Sequence, residues 1–527
     1  MKKQKLWSKT APDGPWDTIV IGSGMGGMTT AAMLTKLGHR VLVLEQHYVP
    51  GGFTHAFRRK GYVWDVGVHA IGEVSEKSMP GRLLKMLTDG RLEWASLGKI
   101  YETFRFPDGV EINFPDNPKQ FRANLLAAFP EEEVAIDAYL AAVKRIGREM
   151  KGYYLSRALP GWMIPAARLM MARPAEKSLA RITADVIDEL TDNPRLKAVF
   201  AAQWGYYGSP PSRSSFAMQA LVVRHFLHGG FYPVGGSAKI AEELLRTVVD
   251  GGGWTRINAD VDKILIEGGK AVGVKLSDGA EIRARRVVSA AGIRATVERM
   301  LPEEYHRKDW SEKIRSLAPA SAHVCLYIGF KGDIRAAGVG SHNLWLYNTW
   351  DVEQEVWDIS DPDSIEDAPI LYCSFPSLKD PEHDPGTEQR HTGEVVTFVD
   401  WDLFERWQDS RWKKRGEDYE AFKAKITAAL LKQLNAAVPG LADLIDYVEL
   451  SSPLSTDHFC RPIRGSIYGL EPTPERFATP WLRPRSPISG LFFSGSEVST
   501  VGVIGAMMGG VLAAVAIEPR KGMKLMK

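Results

Sequence analysis

The chain of 527 residues is too long for a single hydrophobic core, and its length predicts roughly two to four domains. Its 44% hydrophobic and 25% charged residues are ordinary for a soluble globular protein, and 66 Lys and Arg against 64 Asp and Glu give no global field that would attract nucleic acid. Three widely spaced cysteines argue against a disulfide framework and a metal cluster. The sequence has no apolar run of about 18 residues, so we expect no membrane-spanning helix. We therefore expect a cytoplasmic protein without a metal site.

The segment from residue 17 to residue 52 has the pattern of a dinucleotide-binding unit. Its predicted elements are, in order, a buried strand over 17–21, a glycine turn, a helix over 28–37 and a second buried strand over 41–44. Strand, glycines, helix and second strand follow one another at the spacing that a nucleotide-binding βαβ unit requires. We predict that this unit binds a dinucleotide cofactor.

Each glycine of the turn has a mechanical role in such a site. Gly22 allows the tight turn, Gly24 lets the backbone approach a pyrophosphate, and Gly27 lets the helix pack closely on the strand. The helix N-terminus offers unpaired N–H groups and a partial positive charge to the phosphates. Glu45, at the end of the second strand, is placed to accept hydrogen bonds from a ribose diol.

The chain then leaves this unit through Gly51 and Gly52, which let it turn back over the cofactor phosphates. The pattern over 62–69 alternates, so we expect Asp65, Gly67 and His69 on one face of an extended segment. An amphipathic helix over 125–146 and a long aromatic-rich insertion follow.

Two features raise the question of a membrane surface. The unusually apolar segment 159–174 is interpreted either as a core segment of a substrate domain or as an exposed patch that contacts a membrane and takes up a lipid. Both termini are basic, which is typical of solvated tails but also of attachment to anionic lipid. The residues concerned are Lys2, Lys3, Lys5 and Lys9 at one end and Arg520, Lys521, Lys524 and Lys527 at the other.

The nucleotide-binding domain is expected to resume at residue 232. After a helix over 239–249, we predict a β-meander of four short strands and a further buried strand; their ranges are 255–258, 263–267, 272–276, 281–284 and 287–290. Alternating strands such as 323–330 predict a second sheet that walls a pocket. A buried strand over 491–494 and a glycine turn into a final helix complete the pattern. The N-terminus of that helix would stabilise negative charge on the pyrimidine of a reduced flavin.

These motifs together resemble the FAD-dependent amine oxidase and phytoene desaturase superfamily. The stretches VLEQHYVPGGFTHAF, GYVWDVGVHAIG, SPLSTDHFCRPIRGSIYGLE and GLFFSGSEVSTVGVIGAMMGG are similar to the retinol saturase and carotenoid isomerase branch, and nearest to its retinol saturase side. The resemblance implies an α/β fold with a Rossmann-type FAD-binding domain of mostly parallel sheet plus β-meander, and a discontinuous α+β substrate domain. The implied ranges are 14–75, 232–300 and 481–520 for the FAD-binding domain, and 76–231 and 301–480 for the substrate domain.

The resemblance also implies FAD bound without a covalent link. The residues assigned to the cofactor are Gly22, Ser23, Gly24, Met25, Gly26, Gly27, Glu45, Gln46, Gly51, Gly52, Phe53, Val261, Gly292, Gly495, Ser496, Glu497, Val503 and Ile504. One departure is the pair Gly495-Ser496, where desaturases of the superfamily commonly carry Gly-Asp. This departure weakens the transfer of a desaturation mechanism.

The implied chemistry is hydride exchange between flavin N5 and an alkene carbon, and saturation also needs a general acid that protonates the neighbouring carbon. His69 is the first candidate because a histidine titrates near neutrality, with a hydrogen bond to the loop or the cofactor as its alternative role. Asp65 and Glu497 are further candidates, although the first could satisfy backbone N–H groups and the second could cap the turn. Tyr468 and His458 are less favoured.

The predicted function is saturation of a carbon–carbon double bond in a retinoid, carotenoid, other isoprenoid or polyunsaturated lipid. Alternatives are a desaturase or cis-trans isomerase on the same scaffold, or a flavin-free isoprenoid-binding protein. A monooxygenase is disfavoured because a second G-x-G-x-x-G for NAD(P)H is missing, and the electron donor or acceptor stays unassigned. The expected partners are a hydrophobic small molecule and, as an open alternative, the surface of a membrane, but no nucleic acid.

Overall fold

The computed structural model describes residues 4–159 and 163–526. The strands are β1 (Trp16–Ile21), β2 (Val41–Leu44), β3 (Ala56–Arg59), β4 (Tyr62–Asp65), β5 (Trp94–Ser96), β6 (Ile100–Arg105), β7 (Glu111–Pro115), β8 (Phe231–Pro233), β9 (Trp254–Arg256), β10 (Val261–Glu267), β11 (Lys270–Leu276), β12 (Glu281–Ser289), β13 (Ala322–Lys331), β14 (Asn343–Tyr347), β15 (Ile370–Ser374), β16 (Arg390–Val399), β17 (Ile445–Ser451) and β18 (Leu491–Phe493).

The helices surround and connect two large sheets. They are α1 (Met25–Lys36), α2 (Met79–Leu87), α3 (Pro118–Ala128), α4 (Glu133–Ala158), α5 (Ile164–Ala167), α6 (Arg173–Leu179), α7 (Thr183–Asp188), α8 (Pro194–Ala201), α9 (Phe216–Phe226), α10 (Ala238–Asp250), α11 (Ile293–Ala295), α12 (Glu303–His306), α13 (Asp309–Arg315), α14 (Asp402–Glu405), α15 (Glu417–Ala437), α16 (Pro453–Cys460), α17 (Pro474–Ala478), α18 (Gly502–Ile517) and α19 (Pro519–Leu525).

The first sheet has the strand order β10-β11-β12-β1-β2-β9, and β18 also pairs with β12. Its centre is parallel: Thr18 of β1 pairs with Val41 on one side and with Arg286 on the other. The central strands read as unbroken apolar runs because helices cover the sheet, and Ile19 and Val20 are fully buried. Helix α1 packs against α10 and α18. This arrangement confirms the predicted α/β class with a parallel sheet and a β-meander.

Three predicted elements of this sheet differ from the structure. The run predicted over 255–258 is β9, which pairs with β2 at the far edge instead of joining the meander. The two strands predicted over 281–284 and 287–290 form one continuous strand, β12, which belongs to the meander at its start and to the parallel sheet at its end. Helix α1 begins at Met25 rather than at Met28, because Gly24 is its N-cap and the carbonyl oxygen of Gly24 already accepts a helical hydrogen bond of 3.0 Å from the N–H of Met28.

The second sheet has the order β17-β13-β16-β15-β14-β6-β7 and is antiparallel except where β14 runs parallel to β6. Strand β13 confirms the strand predicted over 323–330, and it is buried along nearly its whole length. Helix α15 packs with one face of this sheet, and helices of the insertion, α4 and α9 among them, build the core on the other face. All strands of the first sheet lie in the segments predicted for the FAD-binding domain, and all strands of the second lie in those predicted for the substrate domain; the division itself stays a prediction.

Glycines allow an unusually close approach between the start of α1 and the chain around α18. A Cβ added to Gly26 would lie 2.5 Å from the Cα of Gly495, and one added to Gly510 would lie 2.5 Å from the carbonyl oxygen of Gly26. The hydroxyl of Thr30 donates or accepts a hydrogen bond of 2.8 Å with that of Ser494 at the same junction. Two segments from opposite ends of the sequence therefore form one wall of the first domain.

The insertion presents apolar side chains to solvent beside helix α4. Leu169 is 69% exposed and Met170 is 80% exposed, whereas Ala172 and Ala175 are buried. The segment predicted over 159–174 thus combines core and surface residues, and residues 160–162 lie outside the described residues, as do Lys2, Lys3 and Lys527 of the basic termini. Among the helices that the structure describes, none has the length and apolarity needed to cross a bilayer.

Candidate active site

A cavity of about 1660 Å³ opens at the carboxyl ends of the parallel strands β1 and β2. Ligands of open α/β sheets bind at this edge, because the loops that follow the strands and the helix N-termini converge there. The predicted cofactor residues that line the cavity are Gly22, Gly24, Met25, Gly26, Glu45, Gln46, Gly52, Phe53, Val261, Gly292, Gly495, Ser496, Glu497, Val503 and Ile504. Ser23, Gly27 and Gly51 lie behind this lining and support it.

The backbone at the glycine turn is bare on its cavity side. A Cβ added to Gly24 would meet no atom of the described part of the chain within 4 Å, and the same holds for Gly495 and Gly502. Gly27 is the opposite case, because its Cβ would lie 2.1 Å from the carbonyl oxygen of Gly22. Gly24 therefore leaves room for a ligand against the backbone, and Gly27 permits helix packing. Both observations fit the pyrophosphate cradle that the sequence predicts.

Glu45 and Ser23 link the glycine turn that follows β1 to the second turn at Gly51 through hydrogen bonds. The Oε2 of Glu45 accepts hydrogen bonds from the backbone N–H and the hydroxyl of Ser23, at 2.9 and 2.6 Å, and its Oε1 accepts one from the N–H of His47 at 2.8 Å. The Ser23 hydroxyl in turn accepts a bond of 3.1 Å from the N–H of Gly51. An ionised carboxylate accepts about four hydrogen bonds, so Glu45 keeps capacity toward the cavity that it lines. Its contact with a ribose stays a prediction.

Helix α18 directs its N-terminus into the cavity. Gly502, Val503 and Ile504 form its first turn and line the wall. Gly505 is required there, because a Cβ would lie 2.1 Å from the carbonyl oxygen of Thr500. The unpaired N–H groups and the dipole of a helix N-terminus stabilise negative charge. This feature fits the anionic ring of a reduced flavin.

The predicted extended segment through His69 is wrong in part. Strand β4 ends at Asp65, and the following residues form an irregular turn, so the alternation of faces stops there. His69 lines the cavity, whereas Asp65 does not. The carboxylate of Asp65 accepts hydrogen bonds from the hydroxyls of Tyr232 and Ser237. Burial and the nearby charge of Glu394 raise the pKa of Asp65 to about 6. The placement gives Asp65 a supporting role behind the wall.

Glu497 lines the cavity but is bound to backbone. Its Oε2 accepts hydrogen bonds from the N–H groups of Ile293 and Arg294, at 2.5 and 3.3 Å. Burial raises its pKa, and the charge of Arg476 opposes that shift. These bonds join the turn before α18 to the start of α11, which follows β12. The contacts are those of a cap, which was the alternative role for this residue.

The two less favoured candidates have different positions. Tyr468 lines the cavity, and its hydroxyl donates a hydrogen bond of 3.2 Å to the carbonyl oxygen of Gly205. His458 does not line it and stacks on Trp412 with ring centroids 5.2 Å apart. The structure therefore brings Tyr468, but not His458, to the site.

The far wall of the cavity is aromatic and belongs to the second sheet. Trp345 and Tyr372 lie with ring centroids 4.5 Å apart, and Tyr206 packs edge-on against Trp345 at 5.1 Å. Ile370 and Phe398 complete this face. His69 lies 5.2 Å from Tyr372, centroid to centroid, so it stands where the glycine-rich half of the cavity meets the apolar half.

A cluster of buried ionisable residues behind this wall was not predicted from the sequence. Glu394 on β16 and Glu102 on β6 are fully buried, and burial raises the pKa of each to about 8. Lys379 is also buried, and desolvation lowers its pKa to about 7. Its ammonium donates hydrogen bonds to the carbonyl oxygen of His69 at 2.7 Å and to the hydroxyl of Ser374 at 2.6 Å. An acidic residue within an apolar strand run, GEVVTFV, was the available signal for Glu394.

Comparison with known proteins identifies a family model and several curated relatives that match this chain. The family model "Flavin containing amine oxidoreductase" matches residues 25–518. The chain is 32% identical to all-trans-retinol 13,14-reductase of Danio rerio and to that of Homo sapiens, each over 98% of this chain and 88% of the relative. It is 26% identical to the chloroplastic prolycopene isomerase of Arabidopsis thaliana, over 95% of this chain and 82% of that one.

Solved structures agree on the fold. An oxidoreductase from Methanosarcina mazei superposes with a TM-score of 0.61 at 19% identity, covering 96% of this chain and all of the other. Putrescine oxidase gives a TM-score of 0.60 at 16% identity, over 96% of this chain and 99% of that one. The family match and the curated relatives confirm the predicted resemblance, the FAD cofactor and the oxidoreductase class. The chain belongs to the family of flavin-containing amine oxidoreductases, with relatives in its retinol saturase and carotenoid isomerase branch.

Proposed function

We propose that this protein saturates a carbon–carbon double bond of a long hydrophobic substrate of the retinoid, carotenoid, isoprenoid or polyunsaturated lipid class. The observation that carries the proposal is the continuity of one cavity from the glycine turns to the aromatic wall of the second sheet. Such a cavity holds a dinucleotide at one end and excludes water from an apolar substrate at the other. The retinol reductases among the relatives support the direction of the reaction.

Residues at different positions along the cavity have different roles in this proposal. When bound, FAD supplies hydride exchange at its N5 position. Gly24 and the N-terminus of α18 bind and orient the cofactor, and Trp345 and Tyr372 hold the apolar substrate in a dry environment. His69, at the junction of the two halves, gives the proton that the second carbon requires.

Isomerisation is the second candidate, because prolycopene isomerases are among the relatives and Gly495-Ser496 replaces the Gly-Asp pair of desaturases. Product mass separates the candidates. The holoenzyme, reduced anaerobically with dithionite, is incubated with all-trans-retinol, prolycopene or a polyunsaturated fatty acid. We expect a product heavier by two hydrogens with one of them. An unchanged mass with altered double-bond geometry would favour isomerisation, and unreacted substrate in every case would contradict both.

We also propose peripheral contact between the insertion and an anionic membrane. Leu169 and Met170 are exposed apolar side chains, and a Cβ on Gly152 of α4 would lie 2.2 Å from the carbonyl oxygen of Met171, so this patch adjoins α4. On the same helix, Lys144, Arg148 and Lys151 are exposed and line the cavity mouth. Apolar side chains flanked by lysines and arginines favour anionic lipid surfaces. A substrate could thus enter without crossing water.

Replacing both exposed apolar residues tests this contact. We expect Leu169→Ser with Met170→Ser to weaken binding to phosphatidylserine-containing vesicles by roughly tenfold or more, because two side chains lose their apolar burial. Co-sedimentation with phosphatidylcholine vesicles, with and without phosphatidylserine, measures the effect. Val134→Ser is the matched control, since Val134 is 86% exposed but lies at the other end of α4. Equal binding by the double variant and its parent would contradict the proposal.

A further inference from the structure

One contact of His69 is not used by the function proposed so far. Its Nδ1 lies 2.8 Å from Oε2 of Glu394. Both atoms are shut off from solvent, and within the described residues neither makes an aligned hydrogen bond, with the other or with any further group. Buried polar atoms are almost always paired, and at 2.8 Å each of these two atoms is the partner available to the other. The other carboxylate oxygen, Oε1, accepts a hydrogen bond of 2.9 Å from the N–H of Asp65.

The ring of His69 lies between the buried carboxyl group of Glu394 and the cavity. Its side chain is 13% exposed, whereas that of Glu394 is completely buried. Because Nδ1 is buried, the surface that the ring presents to the cavity comes from its opposite edge, which carries Nε2. The imidazole therefore connects a sealed carboxyl group on one side with the cavity on the other.

His69 by itself is a poor source of protons. Burial and the charge of Lys379 lower its pKa to about 3, so the ring is neutral at pH 7. A neutral imidazole has one N–H, and it can give that proton away only if its other nitrogen gains one at the same time. Glu394 is suited to that exchange, because burial raises its pKa to about 8 and keeps the carboxyl group protonated at pH 7.

Extending the proposed saturation, on which this inference rests, we propose that Glu394 is a positioning residue that holds the His69 ring with Nε2 toward the cavity and returns a proton to Nδ1 when Nε2 gives one up. In this step the Nε2–H bond breaks and its electron pair stays on nitrogen, while a C–H bond forms from the electron pair of the substrate carbon. The O–H bond of Glu394 breaks and an Nδ1–H bond forms. The ring ends as the other neutral tautomer, and Glu394 ends as a carboxylate.

The surroundings stabilise that carboxylate. Lys379 donates to three oxygens, those of the His69 carbonyl, the Asn343 amide and the Ser374 hydroxyl, which matches the three donors of an ammonium group. In its protonated form Lys379 is positively charged and favours the ionised product of the step. Desolvation lowers the pKa of Lys379 to about 7, so this support weakens as the pH rises through that value. Other titratable groups around the pair are Asp65, His323, Tyr372, Tyr232, Cys325 and Tyr327, the last of which pairs with Glu394 across β13 and β16. Of these, Asp65 opposes ionisation of Glu394, whereas the N–H of its own backbone supports it.

A measurement on the holoenzyme without substrate tests the pair directly. Nitrogen-15 NMR of histidine-labelled protein distinguishes protonated from bare ring nitrogens, and the His69 signals are assigned by their loss in His69→Asn. We expect the proton to reside on Nε2 at pH 6.5 and on Nδ1 at high pH, with a midpoint near the pKa of Glu394, about 8. Glu394→Gln should abolish this exchange. A single tautomer at all pH values in the parent protein would overturn the proposal, whether or not the variant folds.

A second measurement uses turnover. Product formation by the reduced holoenzyme should fall above about pH 8, because the donor form of Glu394 is the protonated one. Glu394→Gln should retain FAD, lose roughly tenfold or more in rate and lose the alkaline fall. Glu102→Gln is the matched control, since Glu102 is equally buried but does not touch His69; its alkaline fall should persist. A fall that persists in Glu394→Gln would contradict the relay. If no product forms in the parent protein, saturation fails while the NMR result still decides the pair.

Discussion

A Gly24→Val variant is expected to purify as a folded protein without the yellow colour of a flavin. The backbone of Gly24 has φ −64° and ψ 173°, an extended conformation that valine adopts readily. Its Cβ would meet no atom of the described residues within 4 Å, on a stretch of backbone that lines the cavity. A contact forced between methyl groups and a bound pyrophosphate costs about 3 kcal/mol, which weakens binding by roughly 100-fold. Visible absorbance and extractable FAD per polypeptide measure the effect, and circular dichroism checks the fold.

Gly27→Val is the informative contrast to this variant. The added Cβ would lie 2.1 Å from the carbonyl oxygen of Gly22 and 3.1 Å from the Cβ of Ala290, so the clash is with the protein itself. This variant should fail to fold or should unfold at a markedly lower temperature. Full flavin content in Gly24→Val would mean that the pyrophosphate does not lie against that turn.

A His69→Asn variant should keep its flavin and turn over about 100-fold more slowly, because a general acid contributes about 10²–10⁴ to a rate. The asparagine amide is a conservative choice, since it can still satisfy Glu394 near the place of Nδ1 but cannot pass a proton to the cavity. The measurement is single-turnover product formation by the dithionite-reduced holoenzyme, with FAD content determined on the same sample.

His458→Asn serves as the control for this second variant, because His458 stacks on Trp412 outside the cavity. Its rate should stay within about twofold of the parent rate. An unchanged rate in His69→Asn would assign His69 a purely structural role and would direct attention to Tyr468, which also reaches the cavity.

Elements that depend on local patterns could be predicted from the sequence. The apolar runs of β1 and β2, the spacing of the glycines between them and the strand before α18 each have one stable interpretation, because a strand buried on both faces tolerates few polar residues. The position of β9 could not be predicted in this way. Its three residues pair with β2 across a separation of about two hundred residues, and no local pattern encodes that choice of partner.

The residues of the site could be predicted from the sequence only where the conformation or close approach of the backbone requires a particular residue type. Gly24 and Gly27 have identical side chains but opposite surroundings, one open and one crowded, and the motif assigns both. Glu394 and Lys379 follow no such motif. They are close to each other in the sequence, but Lys379 is 310 residues from His69. Both acquire their character from being buried together beside His69, which is a property of the tertiary structure. The alternation of residues over 62–69 likewise predicted a strand that is too long. The strand ends at Asp65, because the chain turns there and the periodicity of two no longer applies.

The glycine junction between α1 and α18 has a consequence for biosynthesis. A ribosome that adds about 5–20 residues per second makes Gly26 roughly 25 to 95 seconds before Gly495 and Gly510. During that interval the nascent nucleotide-binding half lacks β18 and the helix that covers its small-residue face, so its cradle is incomplete. Flavin loading is then a late event, and the emerging chain carries an exposed apolar surface of the kind that molecular chaperones shield.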